Sequence, residues 1–176
     1  MHHSAPSLGL RIRTVSLVGL LTLLAAGAAG CSSSSPSTAQ LAINGGSGST
    51  FHDGQTVTVS FGPNTKFTPN IRINIIECSD PGGSSANLPT SYIDCDGNTI
   101  QGDTVNVESD GSFREPNYTI FRLPSKALGE SKAAVPVCNQ DNPCVLMASQ
   151  YQTDLTKPKV FSASFTVTGT GLGGAS

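Results

Sequence analysis

The chain has 176 residues, of which 12% are charged, and it contains 19 glycines and 11 prolines. This length suits one domain with a modest core, and the turn-rich composition disfavours a helical protein. If Arg11 and Arg13 leave with a leader peptide, eight basic residues remain against twelve acidic ones, a formal charge of −4. This charge opposes binding to nucleic acid phosphates, so no direct contact with nucleic acid is expected.

Residues 1–30 have the pattern of a secretory signal peptide. Arg11 and Arg13 supply positive charge ahead of an apolar run at 15–26, and small residues follow at 25–30. A helix that crosses a bilayer needs about 20 apolar residues, a length that this run does not reach. The pattern therefore predicts export of the chain and cleavage of the leader.

Cys31 is the predicted site of lipid attachment. The segment Ala28-Ala29-Gly30-Cys31 resembles the bacterial lipobox, whose cysteine is acylated, although Ala28 stands where leucine is usual. Lipidation also removes the odd one of five cysteines, which leaves four to pair in an oxidising compartment. Cleavage by the ordinary signal peptidase is the alternative. Residues 31–38 are serine-rich and predict a flexible tether, so the protein is expected at the outer face of the cell membrane or secreted.

Residues 39–168 show the period-two alternation of half-buried strands. Val57, Val59 and Phe61 alternate with polar residues, whereas 144–148 is a continuous apolar run typical of a strand buried on both sides. The predicted strands are, in chain order, 40–43, 56–61, 71–75, 104–107, 118–123, 144–148 and 161–167. Glycine-containing turns separate them, which favours an all-β antiparallel sandwich of the immunoglobulin type. The glycine-rich tail at 169–176 is predicted to fray.

Four cysteines remain within this predicted domain. Cys78 and Cys95 enclose 16 residues, and Cys138 and Cys144 enclose five. Pairing of neighbours would close two local loops, worth about 3 and about 2 kcal/mol on the chain-entropy account. A zinc site is the rival explanation, but neither spacing is that of a CxxC ligand pair, so neither a metal nor another cofactor is predicted.

A series of landmarks follows in fixed order along the domain. They are Asp53-Gly54 with the strand to Val59, Ile75-Ile76-Glu77-Cys78, Asp110-Gly111-Ser112-Phe113, the cysteine-containing segment 135–146, and Phe161-Ser162-Ala163-Ser164-Phe165. In this order they resemble the neocarzinostatin family, the apoproteins that carry enediyne chromophores. The resemblance covers about residues 41–167. It implies a seven-stranded immunoglobulin-like sandwich with an adjoining two-stranded ribbon and a ligand cleft between them.

The same resemblance implies the residues of the cleft. Cys78 and Cys95 would form its floor, and the Cys138–Cys144 pair would brace a wall. The positions where the family has aromatic rings correspond here to Asp80, Ile100 and Leu128, and the chain has no tryptophan. Ring stacking is therefore lost, while Ile100 and Leu128 retain apolar contact. The resemblance predicts a monomeric, non-enzymatic protein that binds an apolar small molecule, with any antibacterial or DNA-damaging action belonging to a bound chromophore.

Candidate catalytic groups are few. His52 is the only histidine beyond the leader, so a serine or cysteine nucleophile has no obvious base. The segment that starts with Asp94 and Asp96 resembles the beginning of a calcium-binding loop. However, Gly97 falls at the wrong position and Val105 stands where glutamate is needed. The segment is therefore interpreted as a turn. A structural or adhesive envelope module without a ligand is the alternative function, and an enzyme that uses Asp94 or Asp96 is the least favoured hypothesis.

Overall fold

The computed structural model describes residues 40–45, 49–101, 105–129 and 136–169. The predicted signal peptide, Cys31 and the tether at 31–38 lie outside the described residues, as does the tail beyond Gly169. The predictions that concern export and lipid attachment therefore stay predictions.

The described residues are all-β, as predicted. Their strands are β1 Ala42–Asn44, β2 Thr50–His52, β3 Thr56–Phe61, β4 Arg72–Ser79, β5 Cys95–Asp96, β6 Val105–Asn106, β7 Phe113–Thr119, β8 Cys144–Ser149, β9 Lys159–Phe161 and β10 Thr166–Thr168. Short 3-10 helices occupy Tyr92–Asp94, Gly97–Thr99 and Lys126–Leu128. This helix content is limited to single turns, which the glycine-rich and proline-rich composition favours.

The strands form three sheets. A small antiparallel sheet has the order β1-β3-β7, and β2 pairs in parallel with β10. The large antiparallel sheet has the order β5-β4-β8-β9, with β6 also pairing with β4. The register places Ile76 opposite Met147 and Cys78 opposite both Val145 and Cys95. This register puts the first cysteine pair at one edge of the large sheet, where the short strand β5 pairs with β4.

Three predicted strands were wrong in their bounds. The strand predicted at 71–75 runs instead from Arg72 to Ser79. The strand predicted at 118–123 ends instead at Thr119, and it begins at Phe113 because Pro116 does not interrupt it. The register with β3 shifts between Val57 and Val59, so the proline lies where the ladder is irregular and a missing N–H is tolerated. The segment predicted as one strand at 161–167 is divided between β9 and β10, because the chain leaves β8 and continues beside β2.

One main core lies between the small sheet and the large sheet. Val57, Val59 and Phe61 contribute from β3, and the inward-facing residues of β4 and β8 join the same cluster. Phe67 and Phe113 pack on Phe61, with ring centroids 5.8 to 6.0 Å apart. Because each of these side chains is nearly inaccessible, each contributes about 1.5–3 kcal/mol of transfer free energy.

Tyr118 is buried beside this core and makes alkaline stability testable. Its hydroxyl donates to the carbonyl of Thr99 at 3.1 Å. Burial raises the pKa of Tyr118 well above 10, and the charge of Glu77 adds to the rise. The stability that this buried phenol supplies is present below the pKa of an unfolded tyrosine, about 10, and is lost as the pH rises above it.

We therefore expect the free energy of unfolding to fall above pH 10 by up to about 1.4 kcal/mol per pH unit on account of Tyr118. Tyr118→Phe should remove that part of the slope, whereas Tyr151→Phe, at an exposed ring, should leave it in place. Urea unfolding of the three proteins between about pH 8 and 11.5 measures this difference. Equal slopes in wild type and Tyr118→Phe would contradict the assignment.

Candidate functional site

The large sheet has a second apolar side, turned away from the main core. This outer face consists of Ile76, Cys78, Cys95, Val145 and Met147, none of them more than 7% exposed. It arises from strand alternation: Leu146 and Ala148 of β8 point into the main core, so Val145 and Met147 point the other way. The prediction that 144–148 is buried on both sides is confirmed.

The Cys78–Cys95 disulfide forms part of this outer face. It joins residues directly opposite each other on β4 and β5, with Cα atoms 3.9 Å apart. The second predicted disulfide, Cys138–Cys144, is also present. Both of its cysteines belong to the main core, so it lies on the other side of the large sheet from the first disulfide.

The outer face is covered by the chain's own side chains. Leu88, Ile100, Leu155 and Phe161 are half-buried and pack against it. Leu88 comes from the loop between β4 and β5, and Leu155 comes from the loop between β8 and β9. In the part of the chain that the structure describes, the face is therefore covered mainly by loop side chains and not by a second sheet.

Ser149 adds a polar group to this side of the sheet. It follows Val145 and Met147 in the outward-facing series of β8 and is 1% exposed. Within the described part of the chain, its hydroxyl oxygen has no hydrogen-bond partner. Its cross-strand neighbour Asn74 donates from its side chain to Gln152 Oε1 at 2.7 Å. A buried hydroxyl in this condition costs about 1–3 kcal/mol, and a ligand atom bonded to it would recover that cost.

Three cavities lie near the loops and side chains that surround the large sheet. One of about 370 Å³ adjoins Leu88, and another of about 230 Å³ is lined by Ile100, Asn74 and Tyr118 among others. A third, of about 300 Å³, lies between the two disulfide-closed loops and includes the exposed side chain of Ile93. The first two each include one of the side chains that cover the outer face, Leu88 in the first and Ile100 in the second.

The structure brings together only part of the predicted cleft. Cys78, Cys95 and Ile100 meet on the outer face, as the resemblance implies for a floor and an apolar contact. Leu128 packs against the main core instead. The loop that contains Pro143 lines the third cavity, although its disulfide points into the core.

The side chain of Asp80 does not line the outer face, as would be expected of a cleft residue, but lies buried in the β4–β5 loop. It is fully buried, and its carboxylate accepts hydrogen bonds from the backbone of Ser85 at 2.9 Å and of Asn87 at 3.0 Å. The hydroxyl of Ser164 donates to it as well. These contacts fix the first half of the β4–β5 loop, so Asp80 acts on the site by holding the loop that carries Leu88.

The remaining candidates lie apart from the outer face. Asp94 caps a 3-10 turn with Ser91, and Asp96 Oδ1 accepts from the backbone of Asn98 at 2.9 Å, as the interpretation as a turn predicts. His52 is exposed, and its Nδ1 lies 2.9 Å from the hydroxyl of Thr168. Leu88 and Leu155 were not anticipated, because nothing local in the sequence indicates which loop residues cover a sheet.

No family model, curated protein or solved structure matches this chain. The fold and the site define its class as an all-β domain with two disulfides and a loop-covered apolar face. Within the described residues, no helix combines the length and the apolar character that crossing a bilayer requires.

Proposed function

We propose that this protein is an exported, non-enzymatic binding protein of the neocarzinostatin-like type, which holds an apolar small molecule on the outer face. The corresponding fold proposal is an immunoglobulin-like sandwich with an adjoining two-stranded ribbon. It is supported by the main core that lies between the small and large sheets and by the predicted order of landmarks.

The observation that carries the functional proposal is the disulfide-floored apolar face under loops. Ile76, Val145 and Met147 contact each other across β4 and β8 in an arrangement that a sheet normally buries against a second layer. Among the described residues, that layer is supplied by loop side chains together with Phe161 of β9. Each 100 Å² of apolar surface that a ligand removed from water would contribute about 2.5 kcal/mol before the costs of association.

The side chains favour an apolar ligand with few polar groups. Ile100 offers aliphatic contact where the family has rings, and Ser149 offers one hydroxyl for a hydrogen bond. An enediyne-like chromophore is one molecule of this kind. Any antibacterial or DNA-damaging action would come from the bound molecule, because the acidic chain lacks a cluster of basic residues for phosphate contacts.

The place of action proposed is outside the cytoplasm. The two disulfides are compatible with an exported protein, since reducing cytoplasm disfavours them. With lipid on Cys31 the domain would be tethered to the membrane by 31–38, and without lipid it would be secreted. A monomer is proposed in either case.

Met147 provides the test. The chain has two methionines, Met1 and Met147, so methyl-labelled methionine reports on the outer face through one internal signal. We expect native mass spectrometry of the protein from its own host to detect a retained molecule, and an apolar ligand panel to shift the Met147 methyl resonance. No retained molecule and no shift across the panel would reject small-molecule binding.

The alternative is a structural or adhesive envelope module. It is favoured by the same cover, because Leu88 and Leu155 already bury the outer face without a ligand. In that case the face is simply a second core, and the Met147 signal stays unchanged with every compound. Substitutions at Ile100 that leave folding intact would then have no phenotype.

A further inference from the structure

The loop between β4 and β5 is fixed at both ends but not in its middle. At its start, Asp80 binds the backbone of Ser85 and Asn87, and residues 82–85 all have φ between 57° and 92°. At its end, Ser91 and Asp94 form a reciprocal capping box next to Cys95. Both ends are therefore set by specific contacts that include two buried or half-buried carboxylates.

Residues 88–90 lie between these two fixed ends. Among the described residues, no hydrogen bond reaches the backbone or the side chains of 88–90. Leu88 is half-buried and Pro89 is buried, so apolar contact alone holds the segment down. Pro89 also restricts its own φ and the conformation of Leu88, which favours movement of the segment as a unit.

Leu155, the other leucine over the outer face, is held differently. Asp154 Oδ1 accepts from the backbone of Thr156 at 3.0 Å and from its hydroxyl at 2.6 Å. The ammonium of Lys159 donates to the carbonyl of Leu155 itself. Displacing Leu155 would break these bonds, whereas displacing Leu88 breaks none within the described residues.

Space for a ligand adjoins the segment that is free to move. The cavity of about 370 Å³ beside Leu88 is already within the range of about 300–1,000 Å³ usual for small-molecule sites. Removing the Leu88 side chain would extend this cavity onto the outer face. Buried side chains of the outer face, against which Leu88 packs, would then form its apolar floor.

We propose that residues 88–90 are a displaceable cover, and that the apolar group of the ligand takes the place of the Leu88 side chain on the outer face. This inference rests on the proposed function, because it names how the same site is opened. The free protein is then mostly closed, with Leu88 on the outer face. Because only the small fraction of molecules in which Leu88 has moved away can bind, the apparent affinity for the ligand is lower than the intrinsic affinity by that fraction.

The test uses N-phenyl-1-naphthylamine, a neutral apolar fluorophore, on the folded protein. Leu88→Ala should bind it about tenfold more tightly than wild type, and Leu88→Val about threefold, since each leaves less side chain to displace. Ile43→Ala is the matched control, because Ile43 is a half-buried isomer of leucine that packs against the main core. Its affinity should stay within about twofold of wild type, and circular dichroism checks that all four proteins fold.

Nuclear Overhauser contacts separate the possible outcomes. In the free protein, the Leu88 methyl groups should contact methyl groups of the outer face, and in the complex the probe should replace those contacts. Binding at Met147 with unchanged affinity in Leu88→Ala, or with the Leu88 contacts intact, overturns the cover but not the proposed function. If wild type and both Leu88 variants fail to bind the probe and the Met147 methyl signal does not shift, both the proposed function and the displaceable cover are rejected.

Discussion

Gly111→Ala is expected to destabilise the domain by about 3 kcal/mol or more. Gly111 has φ of 84°, in the left-handed region, and an added Cβ would lie 2.0 Å from the carbonyl oxygen of Asn64. That obstacle is backbone, so it cannot rotate away as a side chain would. Relief requires movement of the whole 62–67 loop.

This loop is connected to the main core through Asn64. Its N–H donates to the carbonyl of Asp110 at 3.0 Å, and its side-chain oxygen accepts from the backbone of Phe67 at 3.1 Å. Phe67 in turn packs on Phe61 and Phe113. Moving Asn64 away from an alanine at 111 would therefore disturb aromatic packing as well as a turn.

Gly129→Ala is the control for backbone conformation alone. Gly129 has φ of 80°, close to that of Gly111, but no atom of the described residues lies within 4 Å of its added Cβ. The free energy of unfolding of Gly129→Ala should be lower than that of wild type by about 1–2 kcal/mol, the cost of placing an L-residue in the left-handed region. Urea unfolding of both variants separates the clash from the φ cost, and equal losses would show that the contact with Asn64 is unimportant.

The parts of the fold that sequence predicts well are those with local signals. The alternation in β3 and the apolar run in β8 depend on side chains within one strand, and both strands were placed within a residue of their true bounds. The disulfides follow the same principle, because each joins neighbours in the cysteine order. Local patterns determined these features, and the structure confirms them.

The remaining features depend on partners distant in sequence. The start of β7 could not be predicted, because a proline such as Pro116 normally argues against a strand. Only the register with β3 shows that this proline falls at an irregular position of the ladder. Asp80 follows Cys78 closely, yet one of its hydrogen bonds comes from Ser164, 84 residues away. The sequence around Leu88 has no feature that distinguishes it from any other leucine in a loop. Such placements become visible only when the loops are packed on the sheet.

Removing the first disulfide is expected to weaken both the fold and the closure of the outer face. Cys78→Ala/Cys95→Ala should lose about 3 kcal/mol of unfolding free energy, since the cross-link spans 17 residues of sequence separation. β5 has two residues and, among the described strands, pairs with β4 alone, so without the cross-link it holds the loop of Leu88 weakly. We therefore expect the apolar probe to bind this variant more tightly than wild type and to shift the Met147 methyl signal further.

Cys138→Ala/Cys144→Ala is the matched comparison, because it removes a disulfide without touching the outer face. Its cross-link spans six residues of sequence separation, so the expected loss is smaller, about 2 kcal/mol. Both cysteines lie in the main core, and the loop of Leu88 keeps its two fixed ends. Probe affinity at Met147 should therefore stay near the wild-type value even as unfolding becomes easier. A rise in affinity that follows the loss of stability in both double variants would mean that the probe senses general loosening, and the link between the first disulfide and the outer face would be rejected.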